Sequence, residues 1–149
     1  MKSLIEQLKI DEGFSKMPYR CTANKLTIGY GYNLEANMLN IDPKIIKSWI
    51  DFGIYEHEAE AILLRCVNDI SMQLEKKLVW WLKLNKARQG ALINMGFMGV
   101  KKVMGFKQML RCLERGDWVT ASAQALDSEW AKDVGERAQR VAKIIRDGK

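Results

Sequence analysis

The segment Pro18-Tyr-Arg-Cys-Thr-Ala-Asn-Lys-Leu-Thr-Ile-Gly-Tyr-Gly-Tyr-Asn-Leu-Glu35 decides how the N-terminal part of the chain folds. Pro18 is incompatible with a helix interior, because proline lacks the backbone N–H that the helix needs. Residues 22–25 have the composition of a tight turn, in which Asn24 tolerates a left-handed backbone. Residues 26–32 alternate as a strand does, and their glycines allow close approach of the backbone. We therefore predict a small antiparallel sheet.

A short helix precedes this sheet. Gly13 is a typical helix-ending residue, so Glu12 lies in the last turn. The negative end of a helix favours the protonated form of a carboxyl group, and a protonated acid can donate to a glycosidic oxygen. The alternative is that Asp11 and Glu12 are ordinary solvated acids. The apolar residues at helical spacing are Leu4, Ile5, Leu8 and Ile10.

Two side chains of the predicted hairpin are candidates for holding or activating water. Thr27 and Gly29 share one face of the strand, so a hydroxyl beside bare backbone would form the wall of a cleft. The alternative is a threonine that strand propensity alone placed there. Cys21 has four open roles: it positions water, acts as a base when it is a thiolate, acts as a nucleophile, or is an inert thiol.

From residue 42 onward the sequence predicts helices only. Asp42 is a good N-cap followed by Pro43 at the first helical position, and Asn85 caps a later helix. The fold class is therefore α+β and predominantly α, in a single domain of residues 1–149. Its predicted parts are an N-terminal lobe at about 13–54, a spine helix at about 55–81, and a helical lobe at about 82–149 plus helix 1–12. Further helices are predicted at 104–115, 118–125 and 134–146.

The composition bounds the class of protein. Of the 149 residues, 48% are hydrophobic, which is enough for a core, yet no apolar run is long enough to span a membrane. Charge comes too early in the N-terminal segment for a secretory signal peptide. The three cysteines have no metal-ligand spacing, and Cys66 and Cys112 are predicted to be small core residues. A reducing compartment of synthesis is expected.

Positive charge is concentrated in the middle of the chain. Residues 72–115 contain ten Lys or Arg against two Glu, within a net charge of +6. Such a basic region favours an anionic polymer or surface, such as peptidoglycan or anionic outer-membrane lipids. No nucleic-acid partner is expected, because no nucleic-acid-binding motif accompanies the charge. The alternative is a solvated helix surface.

The spacing of Glu12, Cys21 and Thr27 resembles the catalytic triad of phage-type lysozymes, the endolysin muramidases of glycoside hydrolase family 24. Eight residues separate Glu12 from Cys21, and five separate Cys21 from Thr27. The family most often has aspartate at the Cys21 position, and one branch has cysteine. The resemblance implies a lysozyme-like fold and hydrolysis of the β-1,4 bond between N-acetylmuramic acid and N-acetylglucosamine in bacterial peptidoglycan. It implies no metal and no cofactor.

The resemblance extends along nearly the whole chain. It includes the segments 91–95, 105–109 and 128–140, which look like the central helices and the C-terminal signature of the family. It implies substrate-binding or supporting roles for Tyr30, Tyr32, Asn94 and Arg137. The chain departs from the family at three places: Tyr32 replaces a frequent histidine or arginine, Asn24 replaces a usual glycine, and no Gln or Asn follows Phe97.

The resemblance also implies a biological setting. We expect a monomeric, bacteriolytic and antimicrobial enzyme of cell wall catabolism, which remains in the cytoplasm of the host bacterium until a holin releases it for cytolysis. The alternative is a catalytically weakened or inactive module with a lysozyme fold, which binds peptidoglycan or serves in assembly. A cysteine hydrolase would need a base, and His57, the only histidine, is far from Cys21 in sequence.

Overall fold

The computed structural model describes residues 2–149 and confirms an α+β fold that is predominantly helical. The strands are β1 (Ser15–Arg20), β2 (Leu26–Gly29) and β3 (Tyr32–Asn33). The helices are α1 (Leu4–Glu12), α2 (Pro43–Phe52), α3 (Glu56–Lys77), α4 (Lys86–Gly96), α5 (Val100–Met104), α6 (Lys107–Arg115), α7 (Trp118–Leu126), α8 (Glu129–Val134) and α9 (Glu136–Asp147). None of the helices within residues 2–149 is long and apolar enough to cross a membrane.

The chain divides into two compact units, Met1–Asp69 and Ile70–Lys149. The boundary falls within α3, so that helix contributes to both units. The first unit contains the sheet together with α1 and α2, and the second contains α4 to α9. The division into lobes that the sequence suggests stays a prediction.

The sheet of the first unit is antiparallel in the order β1-β2-β3. Tyr19 pairs with Thr27 across the first two strands, and Ile28 pairs with Tyr32 across the next two. The predicted continuous strand over 26–32 is wrong beyond Gly29, because the backbone turns there. Gly29 and Gly31 have φ angles of 66° and 72°, which favour glycine and reverse the chain.

The helix boundaries at Gly13, Asp42 and Asn85 follow the predicted signals, whereas the cap at Ser3 was not predicted. The Ser3 side chain accepts a hydrogen bond from the Glu6 N–H in a capping box at the start of α1, and Gly13 ends that helix. Asp42 caps α2 ahead of Pro43, and the Asn85 side chain caps α4. Because α1 ends at Glu12, the prediction that this residue lies in the last turn is confirmed.

The long helix α3 ends at Lys77, four residues earlier than the predicted end at 81. The chain then forms a short 3-10 turn over Trp81–Lys83. Three large side chains beyond the helix end, Leu78, Trp80 and Trp81, are buried. Burial of the adjacent Trp80 and Trp81 suits this turn better than a helix, because neighbouring helix positions point about 100° apart.

The second unit is built around α7 and α9, which pack against each other, while α4 packs on α9 and α6 packs on α7. The predicted helix over 134–146 corresponds to α9, which begins two residues later, and the short helix α8 before it was not predicted. Gly135 has a φ of 57° and interrupts the helical path between them. The core of this unit includes Leu92, Met95, Val103, Met109, Leu113, Ala121, Ala125 and Ile145.

Candidate active site

Glu12 is partly buried at the end of α1, and its carboxyl group lies against Gly31. A methyl group placed on the Gly31 α-carbon would come within 2.5 Å of Glu12 Oε2 and 3.0 Å of Glu12 Cδ. Gly31 also has a positive φ of 72°. The position therefore needs glycine both for its backbone conformation and for the space that the carboxyl group occupies.

The hairpin turn after β1 carries Cys21. The Cys21 N–H donates to the Lys25 carbonyl at 3.0 Å, and the Asn24 N–H donates to the Cys21 carbonyl at 2.8 Å. Asn24 has a left-handed φ of 59°, as predicted. The turn closes tightly and leaves the Cys21 side chain partly exposed.

The environment of Cys21 favours its thiolate. A hydrogen bond with the Lys25 backbone is the largest influence and lowers the pKa of Cys21 below its ordinary value. Partial burial opposes this shift, while a side-chain hydrogen bond with Thr27 reinforces it. Two of the three predicted catalytic residues, Cys21 and Thr27, thus share a partner, because the Cys21 N–H and the Thr27 hydroxyl both donate to the Lys25 carbonyl.

Thr27 is buried, and its hydroxyl has two possible acceptors for one hydrogen. The Thr27 Oγ1 donates to the Lys25 carbonyl at 2.8 Å. When Cys21 is neutral, its S–H can donate to Thr27 while Thr27 donates to Lys25. When Cys21 is a thiolate, the Thr27 hydroxyl must turn its hydrogen to the sulfur in order to stabilise the charge. The pair therefore adjusts to the ionisation state of the thiol.

Tyr19 is a site residue that the sequence analysis missed. It pairs with Thr27 across β1 and β2, and its ring is partly exposed. Burial is the largest influence raising its pKa, followed by the charges of Glu12 and Cys21. Tyr19 is therefore close enough to Glu12 and Cys21 for their charges to act on its ionisation. The available signal was its position two residues before Cys21, which puts both side chains on one face of an extended chain.

Tyr30 and Tyr32 are both buried and use their hydroxyls inside the first unit. The Tyr30 hydroxyl donates to Glu56 Oε1 at 2.7 Å, and burial together with Glu56 raises the pKa of Tyr30 to about 12. The Tyr32 hydroxyl donates to Asn37 Oδ1 at 2.6 Å and accepts from the Leu39 N–H at 3.1 Å. These hydrogen bonds favour a supporting role for both tyrosines over direct substrate binding. Either role stays a prediction.

Asn94 and Arg137 meet within the second unit. The Arg137 Nε donates to Asn94 Oδ1 at 2.8 Å, and Nη2 donates to the Asn94 carbonyl at 3.4 Å. Asn94 is buried on α4, whereas Arg137 is near the start of α9. The structure brings these two predicted residues together, and their part in substrate binding stays a prediction.

The remaining cysteines and the histidine are not among the predicted catalytic residues. Cys66 and Cys112 are buried, which confirms them as core residues. The His57 ring is exposed and stacks on Tyr55 with 5.7 Å between the ring centres. Within residues 2–149 there is no cluster of three or more side chains of the types that hold a metal ion.

A mainly helical fold with a small three-stranded antiparallel sheet is consistent with the lysozyme-like fold that the resemblance implies. A family model described as phage lysozyme matches residues 9–146, and the chain belongs to that family. The resemblance inferred from the triad spacing is thereby confirmed. Membership supports a function of the glycoside hydrolase type, with peptidoglycan as the implied substrate.

Two relatives differ in their own architecture. Probable T4-type lysozyme 1 of Dictyostelium discoideum is 28% identical to this chain over an alignment 163 residues long, gaps included. The alignment covers 99% of this chain and 96% of the relative. The pre-baseplate central spike protein Gp5 of Enterobacteria phage T4 is 32% identical over an alignment 161 residues long, which covers 98% of this chain. The match covers only 28% of the spike protein, so the similar region is one part of a longer protein.

Proposed function

We propose that this protein is a phage endolysin that hydrolyses the β-1,4 bond between N-acetylmuramic acid and N-acetylglucosamine in bacterial peptidoglycan. The observation that carries the proposal is that one unit holds both the Glu12 carboxyl group, which lies against Gly31, and the pair Cys21 and Thr27, which both donate to the Lys25 carbonyl. The match to the phage lysozyme family over residues 9–146 supports the same reaction class. A glycosidic bond needs an acid on one side and a water-activating group on the other, and these residue types supply both.

In this proposal Glu12 is the general acid. It donates its proton to the glycosidic oxygen as the bond to the anomeric carbon breaks, so that the leaving sugar departs as a neutral alcohol. The approach to Gly31 supports the role, because the carboxyl group occupies space that a side chain at position 31 would fill. A donor held in position lowers the entropy cost of proton transfer.

Cys21 and Thr27 hold or activate the attacking water. The lowered pKa of Cys21 supports the thiolate form, which can accept a proton from the water while the oxygen bonds to the anomeric carbon. The negative charge of a thiolate would also stabilise the positive charge that develops on the sugar. If Cys21 instead attacks the sugar as a nucleophile, a covalent glycosyl–thioether forms and water must later displace it.

The experiment compares lysis of permeabilised Gram-negative cells by the wild type and by Glu12→Gln, together with the reducing ends that each releases. Loss of lysis in Glu12→Gln, with reducing muramic acid ends released by the wild type alone, supports the proposal. Folding of each variant is checked by circular dichroism. A folded wild type that releases no reducing ends from purified peptidoglycan contradicts the proposal.

Matched variants separate the roles of the hairpin residues. Thr27→Ser keeps the hydroxyl, whereas Thr27→Val removes it at nearly constant shape, so only the valine variant should lose activity. Cys21→Asp supplies a permanent carboxylate and should retain activity if the group acts as a base, while Cys21→Ser should not. The anomeric form of the first product, read by NMR, distinguishes direct attack by water from a covalent intermediate.

The setting of the enzyme is a further part of the proposal. The protein acts as a monomer, remains in the host cytoplasm and reaches the wall after a holin opens the membrane. The exposed cations Lys101, Lys102, Lys107 and Arg111 support attraction to peptidoglycan or anionic outer-membrane lipids. Binding to either surface should weaken as salt is added, because added ions screen exposed charges.

The second candidate function is a peptidoglycan-binding or assembly module with little catalysis. The specific observation in its favour is the similarity to a central spike protein, together with a thiol at a position that is most often aspartate in the family. Binding of folded wild type to purified peptidoglycan without release of reducing ends would establish this candidate and exclude the endolysin.

A further inference from the structure

A carboxylate outside the proposed catalytic set binds both sides of the hairpin that carries Cys21 and Thr27. Glu35 Oε2 accepts a hydrogen bond from the Leu26 N–H and another from Arg20 Nη1 at 3.0 Å. Arg20 and Leu26 pair with each other across β1 and β2. They are also the residues directly before Cys21 and Thr27 in the chain. One carboxyl group thus joins the two strand ends from which the candidate catalytic side chains project.

Arg20 extends this bridge into the turn itself. Its Nη1 also donates at 3.3 Å to the carbonyl of Asn24, the left-handed residue of the turn. Glu35 is held in place in turn, because the Asn33 side chain accepts from the Glu35 N–H at 3.0 Å. The Leu34 N–H adds a bond to the Leu26 carbonyl at 2.8 Å. The bridge therefore rests on backbone partners as well as on one ion pair.

We propose that Glu35 is a positioning residue, which closes the Arg20–Leu26 end of the hairpin so that Cys21 and Thr27 keep their hydrogen bonds to the Lys25 carbonyl. Glu35 itself need not touch substrate. The importance of Glu35 for catalysis rests on the proposed function. Its effect on the ionisation of Cys21 can be measured whether or not the protein is an enzyme.

The bridge is expected to act on local geometry more than on global stability. The side chains of Arg20 and Glu35 are 58% and 45% exposed, and ion pairs this exposed contribute little to folding. The bond from the Leu26 N–H is the largest influence that lowers the pKa of Glu35, and the charges of Arg20 and Lys25 act in the same direction. Glu35 is thus ionised at neutral pH and accepts from both donors.

The test is Glu35→Gln, with the ionisation of Cys21 followed by its rate of alkylation with iodoacetamide across pH. Mass spectrometry of the Cys21 peptide keeps the signal separate from the buried Cys66 and Cys112. Removing a nearby negative charge would by itself lower the pKa of a thiol. Loosening the turn would raise it, because the thiolate loses its hydrogen bonds with Lys25 and Thr27. The two explanations therefore predict opposite signs.

We expect Glu35→Gln to raise the pKa of Cys21 with little change in melting temperature. A pKa that is unchanged or lowered overturns the proposal. Glu129→Gln is the matched control, because Glu129 is an exposed glutamate that pairs with Lys132 in the helical unit. It should leave the alkylation profile of Cys21 unaltered.

Catalysis provides the second measurement. Glu35→Gln should lower kcat several-fold with KM unchanged, and Arg20→Gln should act in the same direction. An unchanged kcat in both variants, with an active wild type, overturns the catalytic part of the inference. If the wild type hydrolyses nothing, the proposed function fails, while the alkylation profile still decides whether Glu35 sets the state of Cys21.

Discussion

Glu12 Oε2 lies where a side chain on Gly31 would begin, only 2.5 Å from the position of the missing Cβ atom. The carboxyl group of Glu12 therefore occupies space that a side chain at position 31 would fill. Because Gly31 also has a φ of 72°, two separate requirements fall on the same residue. They can be separated experimentally, since Gly116 has a positive φ without the close approach of another side chain.

Gly31→Ala should abolish most of the activity, because the carboxyl group of Glu12 must move to make room. A shift of about 1 Å in a catalytic group can cost on the order of a hundredfold in rate. Gly116→Ala is the control, because Gly116 has a φ of 76° and its added methyl would meet the Trp118 ring at an ordinary 3.6 Å. Both should lose about 1 kcal/mol of stability to backbone strain. Equal activity in the two variants would contradict the role assigned to Gly31.

Stability should fall above pH 9, in part because of Cys66. Burial raises the pKa of Cys66 from 9.0 to about 12, so the folded protein keeps this proton where the unfolded chain releases it. The contribution of Cys66 is thus complete below pH 9 and is lost as pH rises toward 12, with a slope of up to about 1.4 kcal/mol per pH unit. Urea unfolding between pH 8 and 11 should show a shallower decline in Cys66→Ala.

Cys21 provides a control of opposite sign. Its folded pKa is lowered, so its contribution is complete above the unfolded value and is lost as pH falls through the folded value. Cys21→Ala should therefore alter the pH dependence of stability below pH 9 and leave the decline above it intact. The same slope above pH 9 in wild type and Cys66→Ala would refute the assignment to Cys66.

Arg88 should be among the most important polar residues for the stability of the helical unit. Its buried guanidinium donates from Nε to the Ile145 carbonyl at 2.7 Å and from Nη2 to the Arg146 carbonyl at 3.2 Å, and it stacks 3.7 Å from the centre of the Trp118 ring. These carbonyls belong to the last turn of α9, where a cation is favourable.

Arg88→Met keeps most of the volume but leaves those carbonyls without their donors, and should cost about 2–4 kcal/mol. Arg88→Lys should recover only part of the loss, because an ammonium group lacks the planar fork of donors. Urea denaturation gives the free energies. Lys86→Met, at an exposed position of the same helix, should change stability by less than about 0.5 kcal/mol and serves as the reference.

Asn24 should accept glycine but not a β-branched residue. Its φ of 59° costs little for asparagine or glycine, whereas valine at this position should lose about 1–2 kcal/mol. Asn24→Gly should therefore match the wild type in melting temperature and in alkylation of Cys21. Asn24→Val should lower the melting temperature and slow the alkylation of Cys21 at neutral pH. Equal behaviour of the two variants would show that the turn tolerates another backbone conformation.

Features that depend on near neighbours were predictable from the sequence. The caps at Asp42 and Asn85 and the helix end at Gly13 are short-range, because the groups that satisfy them lie within four residues. The burial of Cys66 and Cys112 follows from the apolar periodicity around them.

Features that depend on distant partners were not predictable in this way. Glu35 bonds to residues nine and fifteen positions away, and Arg88 bonds to carbonyls 57 and 58 positions away. Both residues look like surface charges in the sequence. The break in the predicted strand over 26–32 has another cause, because side-chain alternation does not reveal the sign of a glycine φ angle.

The Lys25 carbonyl offers a spectroscopic view of the candidate site. It accepts from both the Cys21 N–H and the Thr27 hydroxyl, and the second of these bonds must weaken when the hydroxyl hydrogen turns toward a thiolate. An isotope label on this one carbonyl would therefore shift its infrared stretching band to higher frequency as the sulfur ionises. A backbone group with no part in the chemistry would then report the protonation state of its neighbours during turnover.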